Sequence, residues 1–583
     1  MADDWLLRWD PRVDARPRLV LATSGLGQRL DVHEDADGFV AFDGWLGEPT
    51  AGTASPAAYV ARLWRDGGAR ALEQLRGGFV LIVWRETERA LTIARDALGP
   101  GSCWWSRRGR VLLLSPSLHR VRAEPEVRGA VRRVALAEHA LGEWSDAQRF
   151  ESYYEDVARL PAGHLLEGDR DGTVARRWFV PTSEPLRWAD ADELAAFPDV
   201  LARAVRRCLA GGADCLALSG GFDSVSIAVL AAAERPARPI HALSVHFSDP
   251  VCDESAVQRR VADALGITQT LRRLEDGLAG EDVISASRHL AADGPGPALS
   301  PWDAVYLALL RDARAEGRSA LMTGSGGDEL LGVSPGYGID ALTAGRLGDL
   351  ASFIATCRRA YGTPARTLWR GIARPAASAL ARAWLPRAPL AWLRARRAED
   401  TVPSWIVDPE LRAGLVARAQ ASFAPPGLHH AYEHDVRRML DAPLLALEQE
   451  QAHAWARAAG FRLMAPFFDR DVVQLLLASR PAALLAGGYP KAPLRALLRT
   501  RLASVALPAK KVDFTSMAHA TLRDPGRAYW RRIEGARTLA ALGIVDARML
   551  ERAMNDYFEG RNEDWSQVWL TLSAETWLRA QNA

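Results

Sequence analysis

Lysine is almost missing from this chain of 583 residues: among 73 basic residues only Lys491, Lys510 and Lys511 are lysines. Arginine carries positive charge everywhere else, so a lysine cluster confined to residues 491–511 points to work for a compact, flexible ammonium that a planar guanidinium does less well. Cysteine is scarce too. Cys103, Cys208, Cys215, Cys252 and Cys357 show no C-x-x-C pairing and no histidine at ligand spacing, which argues against a zinc site and a disulfide framework and leaves buried thiols. No apolar run approaches the ~20 residues of a membrane span. Met1-Ala2-Asp3-Asp4-Trp5 lacks the basic and apolar regions of a signal peptide, so a cytoplasmic protein is expected. A net charge of +2 gives no reason to expect nucleic acid, although the arginines of Ala377–Glu399 could form a local basic face. With 48% hydrophobic and 25% charged residues, the chain can bury two ordinary cores, and two domains are expected.

The most informative segment is Ser219-Gly220-Gly221-Phe222-Asp223-Ser224, directly after the apolar run Leu216-Ala217-Leu218. A strand that turns straight into a helix through small residues leaves several backbone N–H groups aimed at one spot, biased positive by the helix dipole. Such a spot suits phosphate. Ser219 and Ser224 add hydroxyls, and the Asp223 carboxylate would repel phosphate unless a hard cation such as Mg²⁺ sat between them. The bland alternative is an ordinary glycine-rich turn with an aspartate cap.

Ser-Gly-Gly-x-Asp-Ser resembles the pyrophosphate loop of the ATP pyrophosphatases, and Thr323-Gly324-Ser325-Gly326-Gly327-Asp328-Glu329 is similar to the second nucleotide motif of the asparagine synthetase family. Between them, Ala242–Phe247 resembles the strand that touches adenine, followed by Asp253-Glu254 opening a helix. The resemblance implies that Asp223 and Asp328 hold Mg²⁺, that Ser219, Gly220, Gly221 and Ser224 hold the phosphates of ATP, and that Leu218, Val245, Thr323 and Gly324 frame the adenosine. Tyr489-Pro490-Lys491-Ala492-Pro493-Leu494-Arg495 is similar to the family's Lys-x-x-x-Arg helix, and Lys511-Val512-Asp513-Phe514 to its lysine loop. Lys511 is the better match for the catalytic lysine, which would neutralise charge developing at the adenylate.

Residues 1–180 read as a different kind of chain. Arg18–Thr23, Gly38–Trp45, Gly78–Trp84 and Ala90–Ala94 alternate apolar and polar residues as antiparallel strands do, with a helical stretch over Ala57–Leu75. Stacked sheets are expected. Tyr59–Trp64, Leu75–Val80, Ala94–Gly99 and Leu160–His164 resemble blocks of the glutamine amidotransferase domain of asparagine synthetases, an Ntn-type sandwich. That domain uses a cysteine exposed by removal of Met; position two here is Ala2, so an inactive domain without glutamine-derived ammonia is expected. Gly168–Asp190 reads as a linker. Residues 190–583 read as an ATP-pyrophosphatase α/β domain that is almost wholly helical after Val333.

Three departures bear on the substrate. Ser325 stands where asparagine synthetases carry Glu and β-lactam synthetases Tyr, and Arg462 and Met464 replace a Glu and an Arg of the block around Gly460–Asp469. A serine hydroxyl can serve neither as the carboxylate base nor as the phenol relay. Gly-Ser-Gly-Gly-Asp-Glu resembles the second motif of lasso peptide cyclases. That resemblance implies macrolactam formation in a precursor peptide, with Trp302, Ser325 and Arg462 near the substrate and a leader-binding element and a leader peptidase as partners. The base is not legible: Glu329 is a candidate, and could equally cap a helix. A β-lactam or ammonia-using synthetase, and a non-catalytic peptide-binding scaffold, are the alternatives.

Overall fold

A computed structural model of the chain describes residues 4–21, 30–47, 53, 55–182, 186–234, 240–278, 281–384, 396, 398–422, 427–508 and 512–582. Ala2, Lys510, Lys511 and residues 385–395 and 397 of the arginine-rich stretch lie outside them.

The amino-terminal part is strand-rich: β1 Leu6–Trp9, β2 Arg18–Val20, β3 Asp31–Asp35, β4 Gly38–Leu46, β5 Gly77–Arg85, β6 Ala90–Arg95, β7 Trp104–Arg108, β8 Val111–Ser115, β9 Ala158–Arg159, β10 His164–Gly168 and β11 Thr173–Arg177. They form two antiparallel sheets, β2-β1-β8-β7-β9 and β11-β10-β6-β5-β4-β3. The central strands β4, β5 and β6 of the second sheet are buried on both faces, and their alternation explains why. Phe39, Ala41, Val80, Ile82 and Trp84 point into the core shared with the first sheet, whereas Val40, Phe42, Phe79, Leu81 and Val83 point at helix α1, Pro56–Gly67. Helix α1 stops short of the expected Leu75 because Gly68 turns left-handed (φ 56°), and a 3-10 turn over Gly68–Glu73 finishes the segment. The linker expectation is corrected in its first half. β11 pairs with β10 from Thr173↔Gly168 to Arg177↔His164, an edge strand whose polar, exposed side chains hid it from an apolar-periodicity reading.

The two parts share cores. Helix α2, Arg133–Leu141, packs on the last helix of the chain, Trp565–Asn582, within one apolar cluster that runs from Leu118 and Tyr153 to Trp569 and Trp577.

From Phe197 onward strands and helices alternate: α3 Phe197–Ala210, β12 Cys215–Ala217, α4 Phe222–Glu234, β13 His241–His246, α5 Ser255–Leu265, β14 Gln269–Arg273, α6 Asp303–Ala315, β15 Ala320–Met322 and α7 Gly327–Leu331. After Val333 the described chain is helical but for β16, Arg462–Met464; two helices there matter below, α8 Pro443–Ala458 and α9 Ala492–Arg501. The sheet is parallel in the order β14-β13-β12-β15-β16. Its order reverses beside β12. In such sheets ligands bind outside the carboxyl ends of the strands at that reversal, which lies between the loops following β12 and β15. Helix α4, buried from Ser224 through Ala231, pins the first of those loops from behind.

Among the described residues, no helix is long and apolar enough to cross a membrane. All five cysteines are free and buried.

Candidate functional site

The loop after β12 is folded by its own serines. Ser219 N–H donates to Ser224 Oγ at 3.1 Å, the two hydroxyls sit 2.9 Å apart, and Gly221 N–H donates to Ser219 Oγ at 3.2 Å. Gly220 N–H donates to Glu254 Oε2 at 3.1 Å, which ties the loop to the turn opening α5. The loop after β15 is held by Glu329, whose Oε2 accepts Gly326 N–H at 3.0 Å, while Gly326 takes a left-handed φ of 96°. The two loops touch through glycines. A Cβ at Gly327 would lie 2.4 Å from Asp223 Cγ, and one at Gly324 3.1 Å from Ser224 N. Larger residues there would force the loops apart.

This contact brings Asp223 and Asp328 onto one cation. Lys491 Nζ sits 2.7 Å from Asp328 Oδ1 and pairs still more closely with Asp223 Oδ2. Burial alone would lower the Lys491 pKa, but attraction to both carboxylates outweighs it and the ammonium is held above its ordinary range. The position is unusual twice over. Lys491 is a non-glycine residue at φ 61°, which costs about 1–2 kcal/mol, and it places a positive charge at the start of α9, against the helix dipole. The two carboxylates offset that penalty. One turn on, the Arg495 guanidinium stacks over Phe222 at 4.0 Å and Tyr489 at 4.9 Å, fixing α9 against the start of α4.

Two carboxylates gathered on one ammonium are a donor set that fits a hard divalent cation, with phosphate oxygens and water completing the shell. Among the described residues no group of three or more His, Cys, Asp or Glu is placed to hold a metal by itself.

Beyond α7 the site is flanked by an acidic group of side chains, Asp303, Glu329 and Glu448. Tyr306 is 50% exposed, yet burial, helped by Asp303 and Glu254, pushes its phenol up. Glu448 of α8 likewise keeps open surface, but burial and then repulsion from Glu329 and Asp303 push it up to about 7. Asp303 is raised by burial to about 7 as well, against the lowering pull of hydrogen bonds from Trp455 and Ser300. One flank is aromatic: Phe514 lies 5.2 Å from Phe247 and 6.0 Å from Trp302, ring to ring.

The model of the asparagine synthase family matches residues 196–579, and that of a glutamine amidotransferase domain residues 47–179. The chain belongs to the asparagine synthase family. Asparagine synthetase [glutamine-hydrolyzing] 3 of Bacillus subtilis is 24% identical over 280 residues, which cover 46% of this chain and 45% of that protein. Amidase chry2 of Gibberella zeae is 27% identical over 308 residues, 49% of this chain and 44% of that one. The chain thus spans less than half the length of these relatives. The solved structure of glutamine phosphoribosylpyrophosphate amidotransferase from B. subtilis, complexed with ADP and GMP, is 11% identical over 46% of this chain and 59% of that one, with a TM-score of 0.20.

Within this asparagine synthase fold, the structure brings Leu218, Ser219, Gly220, Gly221, Asp223, Ser224, Val245, Thr323, Gly324, Ser325, Asp328 and Glu329 to the carboxyl edge of the sheet. Leu218 and Val245 are buried, and Ser325 is exposed. Trp302 opens α6 at the aromatic flank. Arg462 is not brought there. It starts β16, opposite Ala320 at the amino end of the sheet, packs against Gly212, and lines a small pocket at the domain interface with Asp43, Trp45, His453 and Arg457. The block around Gly460 reads as one substrate motif in sequence, but strand direction sends its first charged residue to the opposite edge. Lys511 lies outside the described residues; Val512 and Phe514 after it pack beside the aromatic flank.

Sequence reasoning singled out Lys491 but did not place it between Asp223 and Asp328, and it did not bring Glu448 beside Glu329 and Asp303. The rarity of lysine was signal enough for the first. Glu448 carries no local motif, because its partners come from two other helices.

Proposed function

We propose that this chain is an ATP- and Mg²⁺-dependent amide-forming ligase that closes a macrolactam in a short peptide of the lasso type. The observation that carries the ligase reading is the meeting of Asp223 and Asp328 on the Lys491 ammonium at the reversal point of the parallel sheet. Asp223 and Asp328 would hold magnesium there, and the ion would supply charge to offset that of departing pyrophosphate. Ser219, Gly220, Gly221, Ser224 and the start of α4 receive the phosphates, and Leu218, Val245, Thr323 and Gly324 frame the adenosine. An Asp or Glu side-chain oxygen of the peptide attacks the α-phosphorus as the bond to the β-phosphate breaks. The peptide's α-amine nitrogen then attacks the activated carbonyl carbon, the bond to AMP breaks, and Glu448 takes the amine proton. Lys511 neutralises the developing negative charge. Glu329 is less available for the proton because its carboxylate already holds Gly326 N–H.

Two features support a peptide over a small amino acid. Tyr306 stands half exposed beside the site, and an aromatic flank is paired with an acidic one that suits an ammonium. A peptide supplying its own amine also needs no ammonia. Cys103, the one cysteine of the amidotransferase-like domain, is fully buried and pushed up to about 12 by burial, so it offers no substitute thiolate. The partners on this reading are a precursor peptide, a leader-binding protein and a leader peptidase.

Pyrophosphate release tests the reading. A linear peptide with a free α-amine and an internal Asp or Glu should stimulate it, free aspartate should not, and glutamine should neither be hydrolysed nor raise the rate. Stimulation by aspartate alone, or glutamate formed from glutamine, would turn the assignment to a small-molecule synthetase.

A further inference from the structure

Helix α8 has two polar faces that serve two domains. Glu450, His453 and Arg457 recur at helical spacing on one side, and Glu448, Gln451 and Trp455 on the other. The first set is buried against the amidotransferase-like domain. Glu450, 1% exposed, pairs with Arg95 at 3.1 Å and Arg159 at 3.0 Å. His453 Nδ1 accepts Ser102 N–H at 3.3 Å. Arg457 Nε donates to Asp4 Oδ2 at 2.7 Å and its Nη1 to Asp43 Oδ1 at 3.2 Å, while Trp5 Nε1 donates to Asp43 at 2.7 Å. Two residues of the second set hold the segment that leads into α6. Gln451 Oε1 accepts Leu299 N–H at 3.0 Å, and Trp455 Nε1 donates to Asp303 Oδ2 at 3.2 Å.

An ion pair buried on both sides is weak as a source of net stability, but losing one partner strands the other charge, and that penalty holds the pair together. The ion pairs of Glu450 and Arg457 and the hydrogen bond to His453, all on one helix face, hold its rotation and its height. Glu448 lies two residues before Glu450, so the rotation of α8 sets the direction in which its Cβ leaves the backbone.

We propose that the amidotransferase-like domain positions the amide-forming site: Arg95 and Arg159 acting on Glu450, and Asp4 and Asp43 acting on Arg457, hold α8 so that Glu448 faces the incoming amine. These are positioning residues, and the inference rests on the ligase reading above. It gives the domain a role in the reaction that needs neither a thiol nor ammonia.

Arg457→Met in the full chain tests it, with Glu450→Gln as a second variant and Arg457→Lys as the conservative one. Two half-reactions are followed in folded protein below its melting temperature. Hydroxylamine trapping reports activation of the carboxylate, because that weakly basic nucleophile is already unprotonated at neutral pH and needs no base; ring closure reports attack by the peptide amine, which must give up a proton. Expected is a split: trapping within threefold of the unsubstituted protein, closure down tenfold or more, and partial recovery in Arg457→Lys. The pH midpoint of closure should also move, since Glu448 would change its distance from Asp303 of α6 and Glu329 of α7. Equal losses in both half-reactions with an unmoved midpoint would reduce the contacts to structural support and overturn the proposal. If Arg457→Met and Glu450→Gln do not fold, Arg457→Lys decides: unchanged closure and midpoint there overturn it equally. An unsubstituted protein that traps an activated carboxylate but closes no peptide would instead fault the macrolactam reading, which the same assay detects separately.

Discussion

Asp223→Asn and Asp328→Asn should each lower substrate-dependent pyrophosphate release by about a thousandfold. Each substitution keeps shape and removes one of the two charges that share a cation. In the unsubstituted protein Lys491 offsets one of the two negative charges, and the charge left over favours a divalent ion at the pair. With one carboxylate gone, the remaining one still pairs with Lys491 but cannot outbid it for magnesium. The fold should tolerate both changes. Asp328 has 48% of its side chain exposed, so its loss should cost little; Asp223, at 15%, should cost about 1–3 kcal/mol through its broken bond to Lys491. Calorimetric titration with Mg-ATP and thermal unfolding separate the two effects. Near-normal turnover in either variant would remove the metal assignment.

Glu448→Gln should leave adenylation intact and slow ring closure by about a hundredfold to a thousandfold, the range of a positioned general base. The sign of its pH dependence follows from the direction of its shift. Glu448 is pushed up to about 7, so it accepts a proton only above that pH, and closure should rise through neutrality. Asp303 titrates in the same range beside it, so the observed midpoint belongs to the pair. In Glu448→Gln that limb should vanish, leaving the rise of the peptide amine itself, near 8. Stability runs the other way. A carboxyl raised in the folded state contributes most below its unfolded value, near 4, and loses that contribution as pH rises through 7. Glu448→Gln should therefore melt higher than the unsubstituted protein at pH 8 and by a smaller margin at pH 5.

The tight turn from β12 into α4 was legible in sequence because everything it needs is local: a strand end, two glycines, two hydroxyls and a helix start within Leu218–Ser224. The second loop was legible for the same reason. So was the stacked-sheet part, where alternation along Gly38–Leu46 and Gly77–Arg85 is doubled by burial on both faces. β11 escaped because an exposed edge strand carries no apolar pattern. Arg462 was misplaced for a different reason: adjacency in a motif says nothing about which end of a strand a side chain occupies. Lys491 illustrates the limit from the other direction. Its neighbours Asp223 and Asp328 lie 268 and 163 residues away in sequence, and only the folded loops make them one site. Glu448 needed more still, since its shift arises from burial and from carboxylates on two other helices, Glu329 of α7 and Asp303 of α6.

The measurement that bears most directly on the central claim is the mass of a peptide after incubation with the protein, ATP and magnesium. A linear core peptide with a free α-amine and an internal Asp or Glu should emerge one water lighter and resistant to aminopeptidase, with AMP formed in equal amount. The same peptide with that acidic residue replaced by Ala should show neither the mass loss nor AMP. A peptide that stays unchanged while free aspartate or another small amino acid drives AMP formation would contradict the account.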